Sequence, residues 1–295
     1  MLTGVVFCFL TAFAQSCSYL LSRSYLTRHA GPYAMTIYSQ LFLAILAVAT
    51  LFALNGQYAF PLTAENLASL TAATMLIYSS QLLYFLCATE IEASRLSALT
   101  GLKLIVLAFL CHWILCDDIS AMRWIAVVLC TLSAVGMNFA GCRISIRGTI
   151  LLILLMFVNA TADIVISHLI QSVEGGNIAV RAMAAAGMAY LLLGIVSLPS
   201  LLFIPRSFVR FRDSIPYSLV WFGATISLYL CFGMVHVLFV NIIVSSRGII
   251  SVLLGALISC WGYKELEPTV SRRAWLRRLI MAGLMVLAMT LYSIN

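Results

Sequence analysis

Apolar runs of about 20 residues recur along this chain with only short polar breaks between them, and that pattern leaves few folds open. A helix of about 20 residues, at 1.5 Å rise per residue, spans the roughly 30 Å hydrocarbon core of a bilayer. Composition points the same way. Of 295 residues, 63% are hydrophobic and only 9% charged, and mean hydropathy is +1.07; soluble domains average roughly 45–50% apolar and about 25% charged residues. The expected fold class is therefore an all-α polytopic membrane protein. Soluble enzyme, nucleic-acid binder and disordered scaffold are excluded as whole-chain descriptions.

Ten spanning segments are predicted, at 2–22, 33–54, 67–88, 92–115, 121–141, 148–170, 179–204, 214–236, 240–262 and 275–294. The breaks carry charge or turn chemistry: Arg28-His29-Ala30-Gly31-Pro32, Asn55-Gly56, Cys116-Asp117-Asp118, Glu174-Gly175-Gly176 and Pro205-Arg206. Trp113, Trp124, Trp221, Trp261 and Trp275 fall near segment ends, where indoles sit at headgroup level. The run from Leu2 to Leu21 has no basic residue before it and reads as a first spanning helix rather than a signal core. The nine cysteines form no CxxC pair and lie mostly inside apolar runs, so they read as small helix residues.

The net charge of +7 is distributed very unevenly. On the side of the N-terminus, side A, fall Arg123 and Arg181. Thirteen basic residues fall on the opposite side, side B, among them Arg23, Arg28, Arg206, Arg210, Arg212 and Arg272. Basic residues near helix ends favour the cytoplasm, so both termini are expected to be extracytoplasmic, in the cell (inner) membrane.

The two halves, 1–142 and 143–295, look related. Displaced by 144 positions, Gly4 meets Gly148, Phe13 meets Phe157 and Gln15 meets Asn159; displaced by about 151, Ser120–Trp124 meets Ser271–Trp275. Five helices is an odd number, so a duplicated unit inserts upside down relative to its copy. The expectation is two inverted five-helix repeats, the arrangement of alternating-access transporters whose site lies near the midplane between repeats.

Each half also carries a helix pair joined by a tight acidic turn. The first copy reads Ala93-Ser-Arg-Leu-Ser-Ala-Leu-Thr through Cys116-Asp-Asp-Ile-Ser-Ala-Met-Arg-Trp124 to Val-Gly-Met-Asn138. The second runs from Ser245-Ser-Arg-Gly-Ile through Gly262-Tyr-Lys-Glu265 to Trp275. In this layout the chain resembles the ten-helix, EamA-type branch of the drug/metabolite transporter superfamily. The resemblance implies secondary transport and places both termini inside, opposite to the charge count. The family commonly has an acidic residue and a proline early in the fourth and ninth helices. Here the fourth reads Thr100-Gly-Leu-Lys103 and the ninth has no proline, so no member's substrate carries across.

Ionisable residues within the apolar runs are few. Lys103 is expected near the centre of the fourth helix, Asp163 two-thirds along the sixth and Arg247 a third along the ninth. A charge at the bilayer centre costs roughly 2.5–3.5 kcal/mol or more, so each must face a cavity or a partner. Asp163 and Arg247, at equal depth from side B, are expected to pair. Lys103 is expected to face the cavity and take an anionic group of the substrate; the competing account has Asp163 take Lys103 as a partner in a three-way cluster with Arg247. Gln15 on helix 1, Tyr78, Gln81 and Tyr84 on helix 3, and Asn159 with Asp163 on helix 6 are expected to line the same cavity. His112, His168 and His236 lie nearer helix ends and read as structural.

No HExxH, GxSxG, GxGD or Walker A pattern is present, so an enzyme is not expected, nor is a cofactor or metal site. The leading expectation is a secondary transporter, an exporter of a small polar or amphipathic metabolite. An exchanger of anionic solutes such as sugar phosphates or nucleotide sugars is the alternative within transport, and a non-transporting scaffold or sensor the alternative outside it. The expected partners are a small-molecule solute and the lipid bilayer, with a coupling proton and a homodimer left open and no nucleic acid.

Overall fold

The computed structural model describes all residues except 1, 30, 92–95, 97–98, 115, 117, 139–144, 261–271 and 295. The boundary expected between the two halves, at 142 and 143, lies outside the described residues, as do Cys142, Trp261 and the second acidic turn at 262–265.

Among the described residues are eleven α-helices: α1 (Leu2–His29), α2 (Pro32–Ala53), α3 (Ala64–Glu90), α4 (Lys103–Ile114), α5 (Ala121–Asn138), α6 (Ile146–Ser172), α7 (Ile178–Ser197), α8 (Phe208–Met234), α9 (Val237–Val244), α10 (Arg247–Cys260) and α11 (Arg272–Ile294). Short 3-10 turns precede α4 (Thr100–Leu102) and follow α7 (Pro199–Phe203). Local chemistry sets the starts. Thr63, Ser145, Asn177 and Ser207 cap α3, α6, α7 and α8 by accepting from the backbone N–H three residues on. Pro32 opens α2, where its missing N–H costs nothing. His236 caps α9 through Nδ1, a structural role for one of the three histidines.

Among the described residues, six helices are long and apolar enough to cross a membrane: α1, α2, α3, α6, α7 with its 3-10 extension, and α8. Shorter apolar stretches cover Thr100–Ile114, Ala121–Ser133, Val237–Ser251 and Ile280–Tyr292. The distribution of side chains is the reverse of that in a soluble protein. Phe52, Phe203, Ile146 and Trp113 stand on the outside, whereas Gln15, Gln40, Gln81, Lys103, Asp163 and Arg247 are buried. So much outward apolar surface suits hydrocarbon, not water. Hydroxyls inside the helices satisfy themselves on carbonyls four residues back, as Ser16 does on Ala12, Thr50 on Leu46 and Ser218 on Ser214. The chain is a multi-pass helical membrane protein.

Two interruptions depart from the uniform helices expected. The segment predicted at 240–262 begins at Val237 and breaks at Ser245-Ser246, where short-range turns carry Ser246 N–H to Ile243 O at 3.0 Å and Gly248 N–H to Ser245 O at 3.1 Å. Ser16 of α1 donates to the Arg247 carbonyl there at 3.1 Å. The fourth segment is likewise interrupted, by the Thr100–Leu102 turn, so Lys103 stands at that break as the first residue of α4 rather than in a continuous helix. The most extensive packing joins α1 to α8, α2 to α7, α3 to α6 and α5 to α11. On side A, the loops before α3 and α7 pair through Ala59 and Glu174, two N–H···O bonds of 2.9 Å. Gly175, at φ +81°, and Gly176, at φ +56°, let the chain turn immediately after that pair.

Candidate functional site

A cavity lies halfway along the long helices. α1 contributes Gln15 and Tyr19, α3 Ser80, Gln81 and Tyr84, and α6 Asn159 and Asp163. Tyr190 comes from α7, and Tyr217, Trp221, Thr225 and Tyr229 from α8. The two helix interruptions complete it with Thr100, Lys103 and Arg247. Counting the open mouth, its walls enclose about 750 Å³ of atom-free space. Side chains crowd that space, so the cavity itself is small, about 70 Å³.

Why each charge points where it does follows from helix neighbours. α4 packs on α6, and α10 packs on α1. Lys103, starting α4, therefore reaches Asp163 on α6, Nζ to Oδ2 at 2.7 Å, with both side chains buried. Arg247, starting α10, meets α1 instead. Its Nη1 donates to Gln15 Oε1 at 2.6 Å and to Tyr19 OH at 3.2 Å, its Nη2 to Thr100 Oγ1 at 2.6 Å, and its guanidinium carbon lies 5.8 Å from the Tyr19 ring centre. The expected Asp163–Arg247 pair is thus corrected. Equal depth brought both to the same level, but adjacency decided the partner. Lys103, expected to await a substrate anion, is the residue that holds the carboxylate.

Seven of the eight residues expected at the site line the cavity. Tyr78 does not; it packs half-buried on the apolar core. The stripe on α3 runs Ile77, Ser80, Gln81, Tyr84, the i, i+3, i+4, i+7 spacing of one helical face. A repeat of three residues drifts about 60° per step, which carries Tyr78 off the face that holds Tyr84. Neutral hydrogen bonds stiffen the walls: Ser80 Oγ to Asn159 Oδ1 at 2.7 Å, Gln40 Nε2 to Gln81 Oε1 at 3.3 Å, Trp221 Nε1 to Tyr190 OH at 3.1 Å. Ser197 also donates to Gln40.

Four wall atoms are buried without a hydrogen-bond partner: Gln81 Nε2, Tyr217 OH, Tyr229 OH and Arg247 Nε. Donors left unmade at such a place cost about 1–3 kcal/mol each unless a ligand or water meets them.

Of the aromatic half of the site, sequence reading found Tyr84 and missed the rest. Trp221, expected at an interface, is in the middle of α8 because that helix begins at Phe208, six residues earlier than predicted. It stacks on Tyr217 with centroids 5.8 Å apart, and lies 6.4 Å from Tyr19, itself stacked on Tyr84 at 4.6 Å. Phe85 meets Tyr217 edge-on at 5.3 Å. Tyr217 also borders a second cavity, open toward side B and lined by Ser24, Tyr25, Arg28, Arg212 and Asp213. The aromatic cluster therefore separates the inner cavity from this vestibule. At the vestibule rim His29 Nε2 and Asp213 Oδ2 stand 2.8 Å apart, joining the end of α1 to the start of α8.

No protein-family model matches the chain, and no curated protein matches it. A solved crystal structure of another protein is similar over 99% of this chain and 96% of its own length, with a TM-score of 0.71 and 11% sequence identity. The likeness at that identity is one of fold.

Proposed function

We propose that the chain is a secondary transporter that moves a small polar or amphipathic metabolite by alternating access, in the manner of the EamA-type transporters it resembles. The observation that carries this reading is the cavity itself: three buried charges and four unpartnered polar atoms, enclosed at mid-helix where two helices are interrupted. Interrupted helices around a midplane cavity are the usual construction of transporter binding sites. A scaffold has no use for charges placed there.

The reading counts Thr100–Ile114, which opens with the 3-10 turn, as a fourth span and α9 with α10 as one broken ninth span, giving ten. Inverted repeats are supported by residues of the site. The displacement of 144 that relates Gln15 to Asn159 also relates Tyr19 to Asp163 and Lys103 to Arg247. Arg247 meets Gln15 and Tyr19 on the first helix of one repeat, and Lys103 meets Asp163, the position matching Tyr19, on the first helix of the other. Packing has the matching symmetry: α1 on α8 corresponds to α6 on α3, while α2 on α7 and α5 on α11 are self-paired. In the proposed cycle the crowded cavity is open to neither side widely. Substrate arrives from one side, the aromatic cluster of Tyr217 and Trp221 parts or closes, and the repeats rock about the site. The excess of basic residues on side B supports cytoplasmic placement of that face.

Reconstituted protein tests the reading. Liposomes loaded with a mixture of metabolites should exchange one class of labelled solute faster than liposomes holding a Lys103→Met, Asp163→Asn protein. Equal rates for every class with both proteins would refute it.

A further inference from the structure

Resting on the transporter reading, the charge inventory of the cavity sets the kind of solute. Lys103 and Asp163 cancel, in contact at 2.7 Å. Arg247 does not. Its three acceptors, Gln15, Tyr19 and Thr100, are all neutral, and among the described residues it has no ion-pair partner. The residue is only 4% exposed, and its Nε has no acceptor. A buried guanidinium is tolerated when hydrogen-bonded, but its charge remains uncompensated until an anion arrives.

The cavity therefore holds a surplus of one positive charge. A monoanion brings it to zero. A phosphate monoester or dicarboxylate, carrying two negative charges, would overshoot to minus one and leave a buried negative charge instead. The surroundings of Arg247 describe the rest of the solute. Tyr19, Tyr84, Tyr217 and Trp221 form a connected set of ring faces beside it, a lining suited to a flat apolar body. The free hydroxyls of Tyr217 and Tyr229 and the amide of Gln81 offer uncharged hydrogen bonds for further oxygens.

We propose that this cavity binds organic monoanions, with a carboxylate on Arg247 and a flat unsaturated or aromatic body among Tyr19, Tyr84, Tyr217 and Trp221. A planar fork of N–H groups favours a carboxylate over a spherical halide, because two parallel hydrogen bonds form at once. Lys103 and Asp163 form the cavity's internal neutral pair, and the phosphorylated and nucleotide-linked sugars considered from the sequence are disfavoured by charge.

The test uses full-length protein in lipid nanodiscs and three probes of one shape: benzoate, benzamide and phthalate. Binding is read from ligand-observed NMR and from the unfolding midpoint, which rises with any ligand that prefers the folded state. Benzoate should bind at least about tenfold more tightly than benzamide, the ratio expected for one charge-assisted contact, and more tightly than phthalate. Arg247→Gln should erase the difference between benzoate and benzamide. Arg247→Lys, which keeps the charge and loses the fork, should retain part of it. Equal binding of benzoate and benzamide, tighter binding of phthalate, or full benzoate selectivity in folded Arg247→Gln protein would overturn the proposal. Uptake of neutral or cationic solutes without benzoate selectivity would overturn the monoanion assignment and leave transport standing. Benzoate selectivity in a protein that moves no solute across liposomes would do the reverse.

Discussion

Lys103 and Asp163 bind each other at 2.7 Å in a place where both are buried, and that mutual dependence is measurable. Removing one partner leaves the other as a lone buried charge, a loss of about 3–5 kcal/mol. Lys103→Met alone and Asp163→Asn alone should each lower the unfolding midpoint sharply, and the double variant should recover most of the loss. A double-mutant cycle with Asp163 and Arg247, by contrast, should show a much smaller coupling than the Lys103–Asp163 cycle. These charged residues were legible in the sequence because ionisable groups are scarce in apolar helices. Their pairing was legible only as the competing account, Lys103 with Asp163, since depth along a helix can be counted from a sequence while the identity of the facing helix cannot. The tyrosines escaped for a different reason: Tyr19, Tyr190 and Tyr229 are compatible with core, interface or cavity alike, and only their convergence distinguishes them.

Among the helices, close approach is set by small residues, and the crossing of α2 and α7 is the sharpest case. A Cβ placed on Gly194 would collide with the Cβ of Ala44, and one on Gly187 would lie 2.8 Å from Leu51. Gly194→Ala must push these helices apart, and a loss of about 1–3 kcal/mol is expected from overpacking. Gly223→Ala in α8, where a Cβ meets nothing within 4 Å, should be neutral or slightly stabilising. Comparing the two unfolding midpoints in one detergent checks the packing directly. Long helices were readable because apolar runs and caps such as Thr63 and Ser145 mark them. The breaks were harder. Ser245-Ser246-Arg247 looks like ordinary polar content in a helix, and it becomes an interruption because Arg247 is drawn to Gln15, Tyr19 and Thr100 while Ser16 donates to the Arg247 carbonyl.

For the molecule as a whole, thirteen basic residues against two should place side B in the cytoplasm and both termini outside. An alkaline phosphatase fused at Asn295 should then be active and a fluorescent protein at the same point dark; the opposite pair of results would reverse the orientation. The central claim is that one enclosed cavity communicates in turn with both faces of the membrane. Ser80, on the cavity wall beside Asn159, provides a reporter of modest size. In a variant lacking the native cysteines and carrying Ser80→Cys, a membrane-impermeant thiol reagent is applied to sealed vesicles of each orientation. Labelling of Cys at this position from both sides, with each rate slowed by benzoate, is the expected result. Labelling from one side alone, at every substrate condition, would contradict alternating access.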